Sequence, residues 1–237
     1  MTTTPALLQV RELADEPGLI HGFSTLEVGS VGLTHSPDPA AARESRRRFA
    51  TELGLDPTTI TAVGAVHGSD VARVDAPRDV VKDVDGLITN QPGIALFAAY
   101  ADCYPIVLWD PEHRAVGLVH AGWRGTEADI AAEAVRAMAR EFGSDPSKMK
   151  AAIGPGICGR CYEVSEEVAT LFDQRFVRDS AGGRYLLDLA AANRAQLEEQ
   201  GVGEVFSLDL CTKETGFLPS HRRTPDGARF GAIVALR

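Results

Sequence analysis

Apolar residues along this chain recur with two periods, and the switches between them mark the elements. From Thr61 to Val74, apolar residues alternate with small or polar ones, the pattern of a strand with one buried face. Strand-like runs follow at 85–89, 94–103, 106–110 and 115–120, with turn residues between them. Pro111, Glu112 and His113 form one such turn. Beyond 120 the period lengthens. Ile130, Ala134, Val135 and Met138 share one face of a helix expected over about 125–142, which Gly143 ends. A second helix is expected at 39–53, with Pro39 in its first turn and Gly54 as its stop. Arg46, Arg47 and Arg48 fan around it, so at least one faces the body of the protein. Residues 18–34 mix short apolar pieces with Gly and Ser and read as a loop-rich strand pair. Strands at 149–154, 204–210 and 230–236 and helices at 165–175 and 188–200 complete the reading. The elements interleave without a strict βαβ rhythm. This predicts an α/β protein of the α+β kind, a layered mixed sheet with flanking helices, in preference to a doubly wound fold.

Composition narrows the class. The 237 residues suffice for a sizeable core, and no repeat or low-complexity linker divides them, so one domain over 1–237 is expected. Charged residues make up 24% of the chain and hydrophobic ones 44%, which excludes a disordered or fibrous protein. No apolar run is long enough to span a bilayer, and MTTTPALLQV carries no basic-then-apolar signal pattern. A cytoplasmic protein with no membrane partner is therefore expected, as a monomer or weak homodimer. The net charge of −9, from 33 acidic and 24 basic residues, argues against a general nucleic-acid partner but permits a local basic pocket. The four cysteines, 103, 158, 161 and 211, are expected to be reduced thiols.

Three residues share one setting. His67 in V-H-G-S-D, Cys103 in A-D-C-Y-P and His120 in V-H-A-G-W-R-G each end an apolar run just before turn residues. Side chains at strand ends beside loops can converge on a pocket. Two His and one Cys are also a ligand set of catalytic zinc, which keeps a fourth position open. On spacing alone, however, two core histidines and a buried thiol explain these residues better. A-G-W-R-G opens a helix whose N-terminus suits an anion, and Arg124 adds a planar charged fork. A turn glycine pair, a core Trp123 and a solvated Arg124 fit equally well. Cys158 and Cys161 form a C-x-x-C with no second C-x-x-C or H-x-x-x-H to complete a zinc site, so they read as structural, and Cys211 as a buried small hydrophobe. His21 and His35 could line a pocket, and His113 sits exposed in a turn. His221, Arg222 and Arg223 make a local basic spot, either a phosphate holder or a solvated loop.

In order along the chain stand V-H-G (66–68), D-G-L-I-T (85–89), A-D-C-x-P (101–105), H-A-G-W-R-G (120–125), I-G-P-x-I (153–157), C-Y-E-V (161–164), C-T (211–212) and S-H-R-R (220–223). From about His21 to the C-terminus the chain resembles the YfiH family, also called the laccase-domain, multicopper-polyphenol-oxidase-like or peptidoglycan editing factor family. The resemblance implies a single layered α/β domain related to the catalytic domain of cytotoxic-necrotizing-factor toxins. It implies a metal site of His67, Cys103 and His120. It implies purine nucleoside phosphorylase activity on adenosine, inosine, guanosine and methylthioadenosine, with adenosine deaminase activity as well. Polyphenol oxidation by copper and a role in peptidoglycan editing are further attributions. Zinc with an open position suits deamination and can help to place phosphate. Six histidines in the whole chain are few for a multicopper oxidase. Arg124, Arg46 and Arg222 are the candidate substrate or phosphate contacts, and Asp102 a candidate orienter or proton carrier beside Cys103. A cysteine hydrolase or deamidase using Cys103 and His120 is the alternative. A binding protein with a drifted pocket is a third reading, because Leu26, Ala65 and Ser45 depart from the family pattern on the substrate side.

Overall fold

The computed structural model describes residues 4–34 and 36–237, so His35 lies outside the described residues. Its strands are β1 (Leu7–Leu8), β2 (Leu19–Ser24), β3 (Ile60–Gly64), β4 (Val71–Arg73), β5 (Val80–Lys82), β6 (Gly86–Thr89), β7 (Ala95–Tyr100) and β8 (Tyr104–Asp110). They continue as β9 (Ala115–Ala121), β10 (Lys150–Ile153), β11 (Glu163–Val164), β12 (Val177–Asp179), β13 (Tyr185–Leu187), β14 (Glu204–Ser207) and β15 (Phe230–Leu236). The helices are α1 (Arg11–Ala14), α2 (Pro39–Glu52), α3 (Trp123–Glu127), α4 (Ile130–Phe142), α5 (Glu166–Ala169) and α6 (Leu189–Glu199). Two six-stranded mixed sheets dominate. The first has the order β1-β2-β15-β7-β3-β5 and the second β14-β10-β8-β9-β6-β4.

Strand alternation sorts the side chains into layers. Leu96, Ala98 and Tyr100 of β7 meet Val116 and Leu118 of β9 in a core between the sheets. The intervening Phe97 packs outward with Phe49 and Ala50 of α2. On the far side of the second sheet, Ile106, Leu108 and Val119 pack with α4 and α6. The architecture is therefore helix, sheet, sheet, helix, which bears out the expected layered mixed sheet with flanking helices. Gly154 follows β10 and lies between Phe23 of the first sheet and Pro105 of the second. A β-carbon there would sit 2.5 Å from the Phe23 ring and 2.7 Å from Pro105 Cγ. Gly154→Ala is expected to destabilise the fold by about 1–3 kcal/mol, read as a lower urea midpoint.

Four expectations are corrected. Residues 61–74 form two strands, β3 and β4, which join different sheets, and the loop between them carries His67. The helix expected at 125–142 is broken into α3 and α4. Asp129 turns left-handed (φ 58°), and Gln196 of α6 donates to the Thr126 carbonyl at 2.6 Å, capturing the end of α3. The helix at 165–175 stops at Ala169, and the Asp173 carboxylate accepts from Arg175 N–H to start a separate 3₁₀ turn. Residues 18–34 supply one strand, β2, followed by a loop. The strands that period alone did not reveal (β1, β5 and the small β11-β13-β12 sheet) are two or three residues long and lie at or beyond the edges of the main sheets.

Candidate metal centre

His120 continues the inward row of Val116 and Leu118 to the end of β9, and Tyr100 ends the facing row of β7. Cys103 follows β7 by a tight turn in which Asp102 adopts φ 83°. His67, itself at φ 62°, stands on the loop that crosses between the sheets. The ligand atoms of His67, Cys103 and His120 all lie within 4.8 Å of one another. The two imidazoles meet edge to face, with ring centres 5.0 Å apart. The sequence-predicted trio is thus brought together.

One buried carboxylate, which the sequence reading passed over, organises the trio. Asp85 precedes β6 and is fully buried. Its Oδ1 accepts from His67 N–H at 3.0 Å and pairs with His120 Nδ1 at 2.9 Å. Its Oδ2 accepts from Val66 N–H at 3.0 Å and Gly68 N–H at 2.7 Å. Asp85 therefore shapes the His67 loop and leaves Nε2 of His120 facing Cys103. Burial works to raise the Asp85 carboxyl, but His120 and the N–H groups of Gly68 and Val66 outweigh it, holding it below the usual carboxylate range. Its sequence signal was an acid directly ahead of the apolar run G-L-I-T.

Charge is tightly coupled here. Burial would push the Cys103 thiol up, yet the neighbouring His120 and His67 bring it down to about 6. His120 is opposed by burial but raised to about 9 by Cys103 and Asp85. Tyr100, its ring centre 5.3 Å from that of His120, donates its hydroxyl to the Val119 carbonyl at 2.9 Å. Burial, then the charges of Cys103 and Asp85, keep this phenol protonated.

The donor set fits a metal ion. Two imidazole nitrogens and one low-lying thiol offer three ligands and leave a fourth position. Gly122 keeps room for it, since a β-carbon there would lie 3.1 Å from both Cys103 Sγ and His67 Cδ2. Gly122→Ala is expected to displace these ligands by a few tenths of an ångström and weaken metal binding roughly tenfold, measured by chelator competition.

Asp102 is buried with its carboxylate turned away from the histidines: Oδ1 accepts from the Thr212 hydroxyl at 2.6 Å and Oδ2 from Arg222 N–H at 2.8 Å. It anchors the 212 and 222 segments beside Cys103. Arg222 stacks on Tyr162 at 4.9 Å, and Arg124, exposed on α3, on Trp123 at 4.2 Å. Arg46 donates to the Val31 carbonyl at 2.8 Å and lies 4.5 Å over Phe97, on the outer face of the first sheet. It is the arginine of the 46–48 run that faces the body. His21 does not line a pocket. It is buried, accepts from Val10 N–H at 3.0 Å and is held down to about 4 by burial. His113 pairs with Asp110 at 2.8 Å. Leu26 and Ala65 are exposed, and Ser45 packs against Gly29.

Fold and site together define a layered α/β protein with a His/Cys/His candidate metal centre between two sheets. The chain belongs to the family described as multi-copper polyphenol oxidoreductase laccase, whose model matches residues 20–237. It is 39% identical to a Deinococcus radiodurans protein named purine nucleoside phosphorylase, over 99% of this chain and 95% of that one. It is 35% identical to an adenosine deaminase, RL5, of an unknown prokaryotic organism, over 78% of each chain. The crystal structure of a Bacillus licheniformis protein called YfiH superposes with a TM-score of 0.91 at 28% identity, covering 99% of this chain and 97% of that one. Among the described residues, no helix is long and apolar enough to cross a membrane.

Proposed function

We propose that this protein is a zinc-dependent purine nucleoside phosphorylase that also deaminates adenosine, with adenosine, inosine, guanosine and methylthioadenosine as substrates. The observation that carries the reading is the three-ligand His67–Cys103–His120 cluster with an open fourth side, in a chain whose relatives bear these two activity names. Zinc held there would supply Lewis-acid polarisation of a substrate oxygen. The residues around it have separable tasks. Asp85 fixes His120 and the His67 loop. Asp102 ties the Arg222 segment to the base of the Cys103 turn, and Arg222 and Arg124 are the arginines that would hold phosphate. Arg46, beside Val31 and Phe97 on the outer face of the first sheet, is left out of this set. A multicopper centre finds too few histidines. His21 is locked in the core and His113 is paired with Asp110, so only His67 and His120 are gathered among the described residues.

The test is product analysis on a nucleoside panel, with and without phosphate, alongside elemental analysis of the native protein. Phosphate-dependent release of base and phosphate-independent loss of ammonia are expected, both abolished in Cys103→Ala. Zinc-loaded protein that gives neither product refutes the reading.

A second reading has its own observation. Asp85, His120 and Cys103 stand in the order of an orienter, a base and a nucleophile, so a metal-free chain can act as a cysteine hydrolase or deamidase. A substrate-dependent burst in fully active, metal-free protein would favour it over the zinc enzyme.

A further inference from the structure

Three thiols and a carboxylate meet at a second place. Cys158 and Cys161 lie on the loop between β10 and β11, and Cys211 and Glu214 on the turn after β14. Their ligand atoms all lie within 4.8 Å of one another. Main-chain bonds hold the two segments in register: Gly156 N–H donates to the Leu210 carbonyl at 3.2 Å, and Thr212 N–H to the Gly156 carbonyl at 3.0 Å. The C-x-x-C that lacked partners in the sequence acquires them from residues fifty or more positions away.

We propose that Cys158, Cys161, Cys211 and Glu214 form a second, structural metal site for a four-coordinate, thiophilic dication of the zinc class. Spacing supports it. Zinc–sulfur bonds of about 2.3 Å place tetrahedral ligands about 3.7 Å apart. Cys161 Sγ lies 3.5 Å from Glu214 Oε1, and Cys158 Sγ 3.9 Å from Glu214 Oε2. Second, the Cys158 N–H points at Cys211 Sγ at 3.4 Å, tying the first loop to the second through a sulfur. Third, three thiolates and a carboxylate around a dication leave a net charge of about −2, and Arg160, 2.9 Å from Glu214, offsets part of it. Thiols buried as plain hydrophobes would gather apolar neighbours, not a carboxylate. A Cys158–Cys161 disulfide would leave Cys211 and Glu214 without a purpose.

Four protein donors close the coordination sphere, so the site is structural, unlike the three-donor centre at His67. Binding releases the thiol protons to solvent. The cation pins the Cys158–Cys161 loop to the Cys211–Glu214 turn. That turn holds Thr212, whose hydroxyl bonds Asp102, and Arg223 grips the carbonyls of Thr212, Lys213 and Thr215 at 2.6, 3.1 and 3.1 Å. Metal at the second site thereby stiffens the floor of the first, and it exists whether or not the nucleoside reading is correct.

The test uses the reduced full chain with Cys103→Ala, which disables the first centre. After zinc loading and removal of loose metal, one zinc per chain is expected by elemental analysis. After cobalt loading, thiolate-to-cobalt charge-transfer absorption is expected, and X-ray absorption should count three sulfur ligands and one oxygen. Adding Glu214→Gln, on the surface and safe for folding, should weaken cation affinity at least about tenfold. Adding Cys211→Ser should lower the absorption and reduce the sulfur count to two. No retained metal, a shell without sulfur, unchanged affinity in Glu214→Gln, or a Cys158–Cys161 disulfide in freshly isolated protein would each overturn the site.

Discussion

Asp85→Asn is expected to lower folding stability by about 2–4 kcal/mol and metal affinity at the His67 centre by about 10–100-fold. Four N–H groups converge on the two carboxylate oxygens: those of Val66, His67 and Gly68 and Nδ1 of His120. Asparagine keeps the shape but offers one oxygen, and its NH2 confronts two of the four donors. Two N–H groups then lose their partner, and in part-buried settings each loss costs about 1–2 kcal/mol. The charge is lost too, so His120 is less firmly oriented as an Nε2 ligand, and the His67 loop has less reason to hold its left-handed residue. Urea unfolding of the metal-free variant isolates the stability effect, and chelator competition reads the affinity. A variant matching the wild type in both would remove Asp85 from the architecture of the centre. The pH dependence has a definite sign. A carboxylate whose folded value is depressed contributes stability above its unfolded value and loses it as pH falls through the folded value. The variant should therefore lose part of the acid limb of the stability curve.

The role of Asp85 shows which information the sequence carried and which it did not. Period located nearly every long strand because sheet burial writes itself into alternation, but the runs ending at Cys103 and His120 singled out the centre only through the family motifs they carry. Period cannot say which sheet a strand joins. The loop at 65–70 therefore looked like the middle of one strand, although it is the bridge that delivers His67 from the first sheet to the second. Partners made of main chain leave no pattern: three of the four groups that Asp85 binds are backbone N–H. The same holds for α3, whose end is set by Gln196 on another helix, seventy positions away. Cys158 and Cys161 looked unpartnered because their partners arrive through a single β-bridge between Gly156 and Cys211. Motif order supplied the family, but contacts between remote backbones needed the fold.

In metal-free protein, alkylation of Cys103 is expected to titrate with a midpoint near pH 6 instead of the ordinary thiol range. His120, raised to about 9, is the matching cation, and the two groups titrate as a coupled pair. Thiolate and imidazolium therefore coexist from about pH 6 to about 9. Below that window the thiolate takes up a proton, and above it the imidazolium loses one. The share of Cys103 in folding stability vanishes as pH falls through about 6, and that of His120 as pH rises through about 9. At pH 7 a thiol of pKa about 8.5 is roughly 3% ionised and one of pKa about 6 roughly 90%, a gain of about thirtyfold. A less basic thiolate is also a weaker nucleophile, and with a Brønsted slope of about 0.4–0.5 the shift gives back roughly tenfold. The rate at neutral pH thus changes only a few-fold, and the midpoint of the profile is the diagnostic. His120→Gln removes the larger cationic partner and should move that midpoint up toward the ordinary thiol range. Saturating zinc should suppress alkylation at every pH in the wild type, because a coordinated thiolate is no longer free to attack. A midpoint that stays near pH 8.5 in the wild type, or that ignores His120→Gln, would show that the thiol and imidazole are not coupled. It would take away the electrostatic basis shared by the zinc centre and the cysteine-nucleophile reading.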